Sequence, residues 1–135
     1  MKKNNSIIFI DWDDTLFPTS WVNKNNIDIK NITDYSIFIK LDQYINTLLK
    51  KITNKCEIVI VTNALKKWIL SCLNLLPQTK LLICSHNFKS NNSCKNRINV
   101  ISARENYQDK YNSPIDWKIH TFKNIINKYK KKKYK

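Results

Sequence analysis

Three carboxylates, Asp11, Asp13 and Asp14, crowd into four positions directly after the apolar run IIFI at residues 7–10. Like charges this close repel and raise one another's pKa unless a cation sits among them. Unpaired carboxylates at the end of a buried strand would be costly. The acids are therefore either solvated turn residues, or they hold a metal and do chemistry. Past a strand end, Asp11 and Asp13 at i and i+2 can face one small site. A hard cation such as Mg²⁺ binds through one or two carboxylates plus substrate phosphate. A carboxylate can also attack phosphorus to give an aspartyl-phosphate, and a second carboxyl can protonate the leaving group and then activate water. A later apolar run, EIVIV, ends in Thr62 and Asn63. Thr62 would supply a hydroxyl and a backbone N–H for phosphate oxygens at a neighbouring strand end. A lysine must still offset the charge on the transferring group.

The elements that must hold these residues alternate along the chain. Short, β-rich apolar segments predict strands at 7–10, 56–64, 80–85 and 98–103. Helical spacing of apolar residues predicts helices over 36–52 (Ile37, Leu41, Tyr44, Ile45, Leu48, Leu49) and over 64–77, stopped by Pro77 (Trp68, Ile69, Cys72, Leu76). A third covers 113–131, with Pro114 in its first turn (Trp117, Ile119, Phe122, Ile125, Ile126). Residues 17–21 read as a turn, 22–35 as a polar loop and 86–97 as a basic loop. Strands alternating with helices mean an α/β fold with a parallel sheet. Such sheets bind ligands at the carboxyl ends of their strands, where Asp11, Asp13, Thr62 and Asn63 fall.

Composition narrows the classes. The 135 residues suffice for one domain, expected over 1–128 with a basic tail at 129–135. The absence of glycine excludes a GxGxxG dinucleotide loop and a GxxxxGK[ST] phosphate loop. Backbone positions with positive φ must then fall to Asn or Asp. No run is long enough for a membrane span. The opening lysines precede an apolar stretch too short for a signal peptide. Cys56, Cys72, Cys84 and Cys94 lie far apart without metal-ligand spacing. A cytoplasmic protein with reduced thiols is expected. The net charge of +14 is inflated by a Lys-, Asn- and Ile-rich bias, such as an AT-rich genome gives, so it argues only weakly for a nucleic-acid partner.

In order, IIFIDWDDTL, EIVIVTN and PIDWK resemble the DxDx[T/V], hhh[S/T]N and lysine motifs of the haloacid dehalogenase-like superfamily. More narrowly, DWDDTLFPTSW, VTNA, ISAR and WK resemble small protist members of it. The resemblance covers nearly the whole chain and implies a three-layer, Rossmann-like parallel sheet, capless or with a minimal flap. It implies Mg²⁺-dependent phosphoester hydrolysis. Asp11 would be nucleophile and metal ligand. Asp13 would be general acid/base, with its carbonyl on the metal. Thr62 would bind phosphate with Asn63 supporting its loop, and Lys118 would neutralise the phosphoryl group. The superfamily's fourth motif, an acidic pair after the lysine helix, has no counterpart here, because no Asp or Glu follows Asp116. The expectation is a domain cut off before its last strand, with weak or absent Mg²⁺ binding and weak or absent activity. A pseudoenzyme or binding module on the same fold is the alternative, and a basic nucleic-acid binder is less favoured. In such a fold the 7–10 strand would keep an open edge, prone to self-association or to pairing with a partner's strand.

Overall fold

The computed structural model describes residues 6–83 and 98–133. Its sheet is parallel, in the order β1-β2-β3, with β1 at Ile7–Ile10, β2 at Glu57–Thr62 and β3 at Asn99–Ser102. Ile8 aligns with Ile58 and Ile10 with Ile60, while Val61 aligns with Ile101 and Thr62 with Ser102. Strands β2 and β3 therefore end level, and β1 ends two residues earlier, opposite Ile60.

The central strand β2 is apolar without alternation because both its faces are covered. Ile58 and Ile60 join the larger core with Phe38, Ile45, Leu49, Ile69 and Leu73. Val59 and Val61 face a smaller core with Phe9, Ala103, Trp117, Phe122 and Ile125. The first core lies under α2 (Ser36–Thr53), α3 (Lys66–Leu73) and α4 (Pro77–Leu82), and the second under α5 (Ala103–Tyr107) and α6 (Pro114–Lys133). This is the expected three-layer α/β architecture.

Several local expectations are corrected. The segment 17–35 is not all turn and loop: residues Thr19–Lys24 form a helix, α1, which buries Val22. The predicted helix over 64–77 is shorter than expected, since α3 ends at Leu73. The chain breaks at 74–76, where Leu75 and Leu76 plug the core, and Pro77 starts the next helix rather than merely stopping the last. The predicted strand at 80–85 is therefore helical as far as Leu82, and Ile83 makes a parallel bridge to Ile98. The carboxylate of Asp42, buried on α2, captures the Gln78 and Thr79 amides at 2.9 and 2.8 Å and the Thr79 hydroxyl at 2.7 Å. That cap makes a helix of a sequence whose apolar run reads as strand. Ala103 opens α5 instead of closing a strand. The end of that predicted strand, at 84–85 with Cys84, and the basic segment 86–97, with Cys94, lie outside the described residues.

The helical stripes are rotated from their expected setting. On α2 the inward residues are Phe38, Asp42, Ile45, Asn46 and Leu49, leaving Ile37, Tyr44 and Leu48 exposed. On α6, Trp117, Phe122 and Ile125 pack inward, while Ile119 and Ile126 are exposed. Helix α6 also runs through 129 to Lys133 without a break.

Candidate active site

Where β1 ends, the chain folds into a tight loop. The Trp12 carbonyl accepts from the amides of Thr15, Leu16 and Phe17, and the Asp14 amide donates to the Phe17 carbonyl at 2.7 Å. Asp14 sits at φ 58° and Asn26 at φ 53°, the substitution for glycine that the composition required. Trp12 anchors the loop from inside, wholly buried and stacked on Phe17 with centroids 5.9 Å apart. Its indole N–H finds no oxygen or nitrogen acceptor and lies by the Cys72 sulfur. Burial pushes that thiol up to about 12, against the pull of the Trp12 indole, so Cys72 is an inert packing residue.

The three acids have three different surroundings. Asp11 Oδ1 accepts the Trp12 amide at 2.7 Å, and Oδ2 pairs with Lys118 Nζ at 2.9 Å across 107 positions of sequence. Asp13 Oδ1 accepts from both the Thr19 hydroxyl and the Trp68 indole N–H, the latter at 3.0 Å. Asp14 turns outward, and its carboxylate accepts the Ser20 hydroxyl and amide, which hold its pKa below the ordinary carboxylate value. Asp14 is thus a cap on the start of α1. Asp11 and Asp13 remain as the pair available for chemistry.

Lys118 is delivered by α6, whose first turn is tied to the end of β2. Asn63 Nδ2 donates to the Pro114 carbonyl at 3.2 Å. Thr62 is wholly buried, and its Oγ1 accepts the Ala64 amide at 3.0 Å, so its side chain shapes the loop entering α3. Two residues with no signal in the sequence brace that loop from β3 and α5. Ser102 Oγ donates to the Ala64 carbonyl at 2.7 Å, and Glu105 Oε2 accepts the Lys66 amide at 2.7 Å at the start of α3. Ser102 also caps α5 by accepting the Glu105 amide. Thr19 and Trp68, the partners of Asp13, were likewise not legible: a threonine in a turn-like stretch and a tryptophan on an apolar face read as packing. Beyond Trp68 lies a cavity of about 400 Å³, lined by Val22, Ile27 and Ile29 with Lys30 and Lys67 among its polar residues.

The donor set does not make a protein-held Mg²⁺ site. One Asp11 oxygen is paired with Lys118, and the Asp13 carboxylate is turned to Thr19 and Trp68. Among the described residues no three His, Cys, Asp or Glu side chains gather in one place. The cation that meets Asp11 here is the Lys118 ammonium.

A parallel α/β sheet whose first strand delivers two acids, one of them paired with a lysine from a later helix, defines a haloacid dehalogenase-like phosphatase domain. Within that class, the model of the NLI interacting factor-like phosphatases matches residues 6–112, and the chain belongs to that family. Lys118 lies just beyond the matched residues. Comparison with curated proteins gave no match, and neither did comparison with solved structures.

Proposed function

We propose that the chain hydrolyses phosphoesters through an aspartyl-phosphate, with Asp11 as nucleophile and Asp13 as general acid and base. The supporting observation is the division between the two carboxylates. Asp11 faces a cation, while Asp13 is held two residues away by neutral donors. In the first step an Asp11 carboxylate oxygen bonds to phosphorus, the ester P–O bond breaks, and the departing oxygen takes the proton of Asp13. In the second, Asp13 removes a proton from water, which attacks phosphorus and releases Asp11 and inorganic phosphate. Lys118, freed from Asp11 as the phosphoryl group enters, offsets charge on its oxygens. The loop of Thr62 and Asn63 borders the phosphate position. The cavity beyond Trp68, the residue that donates to Asp13, suits the body of the substrate.

The test is hydrolysis of an aryl phosphate with and without Mg²⁺. Asp11→Asn is expected to abolish turnover, because an amide cannot form the acyl-phosphate. Asp13→Asn should lose about 10²–10⁴-fold in kcat, the ordinary worth of a general acid/base. Activity that survives Asp11→Asn would refute the mechanism. The incomplete donor set favours a second reading, a relative that binds phosphorylated ligands with little or no turnover. It predicts phosphate binding that depends on Lys118 while hydrolysis is undetectable in the unsubstituted protein.

A further inference from the structure

We infer that the substrate is a small phosphomonoester with a second anionic group, a phosphate or a carboxylate, and that the cavity beyond Trp68 receives that second group. The inference rests on Asp11 and Asp13 being the hydrolytic pair, and three observations carry it. First, the cavity and the site share a side chain. Trp68 lines the cavity and donates its indole N–H to Asp13 Oδ1 at 3.0 Å. One indole ring thus spans the step from the acid that meets the leaving-group oxygen to the space for what that oxygen carries.

Second, the size and walls of the cavity suit a small body. Its volume of about 400 Å³ falls near the lower end of the roughly 300–1,000 Å³ of small-molecule sites. After α1 the chain turns back at Asn26, φ 53°, and the Ile27 amide donates to the Val22 carbonyl at 3.0 Å. That turn sets Ile27 and Ile29 beside Val22 as an apolar wall, and α3 contributes the Trp68 ring. A carbon chain or ring joining the two anionic groups leaves water against these surfaces.

Third, charge selects the far end of the occupant. Lys30 and Lys67 line the cavity and are exposed, and neither forms an ion pair among the described residues. The carboxylate on the same wall, Asp28, has both oxygens engaged. Its Oδ1 accepts the Lys30 amide at 3.1 Å and its Oδ2 the Asn31 side-chain amide at 2.7 Å. Those bonds, that of Asn31 foremost, with a smaller pull from the Lys30 charge, hold the carboxyl below its ordinary value of 3.8. Two cations therefore accompany one carboxylate that is already turned to its own loop, and the lining is electropositive. Lys118, paired with Asp11, is committed to the transferring phosphoryl group. A second anion on the substrate needs cations of its own, and Lys30 and Lys67 supply them.

The test uses the full chain, ¹⁵N-labelled, and non-hydrolysable phosphonates on a straight four- to six-carbon chain that ends in a methyl group, a carboxylate or a second phosphonate. The indole N–H signal of Trp68, identified by its loss in Trp68→Phe, and the amides of residues 27–30 and 67–71 report occupancy. At low salt the better of the two-headed probes should bind about tenfold more tightly than the methyl-ended one, the worth of two partly exposed ion pairs. The gap should narrow at high salt, and the tighter of the carboxylate and the phosphonate names the group. Lys30→Gln with Lys67→Gln, two exposed positions where the fold tolerates the change, should bring the two-headed probes down to the methyl-ended one. The proposal is overturned by equal binding of the three probes, by no binding of the two-headed ones, or by an advantage that survives the double substitution. Two-headed probes held at residues 30 and 67 with no dependence on Lys118 also overturn it, since the cavity would then be a separate anion site. The hydrolytic reading fails on a different result, aryl phosphate turnover that survives Asp11→Asn, so the two failures are told apart.

Discussion

At the scale of single residues, the two acids of the site differ in what moves when a neighbour is changed. Asp13 Oδ1 takes two donors, Thr19 and Trp68, which leaves Oδ2 as the oxygen that exchanges a proton with leaving group and water. Trp68→Phe keeps the ring against Phe17, 6.0 Å away in an edge contact, and removes only the N–H. A hydrogen bond to a charged group contributes about 1.5–3 kcal/mol, of which a single remaining donor recovers part. The expected result is a fall of about tenfold in kcat with KM unchanged, measured by steady-state kinetics. A fall confined to KM would mean that Trp68 serves only the cavity. For Asp11, one of whose oxygens is held by Lys118, the prediction concerns metal. Titration calorimetry with MgCl₂ should give a Kd on the order of millimolar or weaker, because Mg²⁺ dehydrates reluctantly and asks for near-octahedral oxygen geometry. Micromolar binding would show that another acid joins Asp11. Asp11 and Asp13 stood out because carboxylates after an apolar run are costly without a purpose, whereas Lys118, one of many lysines, stood out only through the resemblance of PIDWK to the lysine motif. Trp68 and Ser102 did not, because their roles depend on which elements become neighbours. Thr62 was singled out as a phosphate hydroxyl, yet its side chain is wholly buried under Ala64.

At the scale of elements, the sharpest test of what holds the site is a cap. Helix α4 begins against a carboxylate from α2, and that one side chain satisfies two amides and a hydroxyl, those of Thr79 in the interior. Asp42→Ala strands those donors and should cost about 2–4 kcal/mol, more than an exposed helix cap, because Thr79, which supplies two of them, is buried. Asp42→Asn retains one acceptor and should lose about half as much. Urea unfolding of both variants measures this, and a loss below about 0.5 kcal/mol for Asp42→Ala would mean that water replaces the cap. The same interaction explains where the sequence misled. KLLIC is strand-like by composition, and nothing local reveals that Pro77 and a distant Asp42 commit residues 77–82 to a helix. The helical stripes were found with the right period but the wrong phase. An apolar face predicts that a helix is amphipathic; it does not predict that the most apolar flank stays in solvent while a carboxylate goes inside. Strands β1, β2 and β3 were legible because a buried parallel strand needs a short, unbroken β-branched run.

At the scale of the whole molecule, charge governs stability. Twenty-four Lys and Arg face ten Asp and Glu, so the folded chain concentrates positive charge that the unfolded chain can spread apart. Screening should therefore stabilise the fold. With a Debye length of about 10 Å at 0.1 M salt, raising NaCl from 10 to 300 mM should add on the order of 1 kcal/mol at neutral pH, read as a rise in Tm of roughly 3–6 °C. Acid should deepen the effect. Hydrogen bonds from Ser20, from Asn31 and Lys30, and from Ser36 hold the carboxyls of Asp14, Asp28 and Asp34 below their ordinary value of 3.8. Lowered folded-state values mean stability that is present above pH 3.8 and is lost as pH falls through the folded values. Over that same interval the loss of negative charge raises the net positive charge and with it the repulsion. Thermal unfolding followed by circular dichroism at pH 7 and pH 3, in NaCl and in Na₂SO₄ at equal ionic strength, separates the causes. Screening predicts equal gains from the two salts and a larger gain at pH 3. A gain seen with sulfate alone would trace the stabilisation to anion occupancy at the lysines, and a Tm indifferent to salt would show that local ion pairs already offset the net charge.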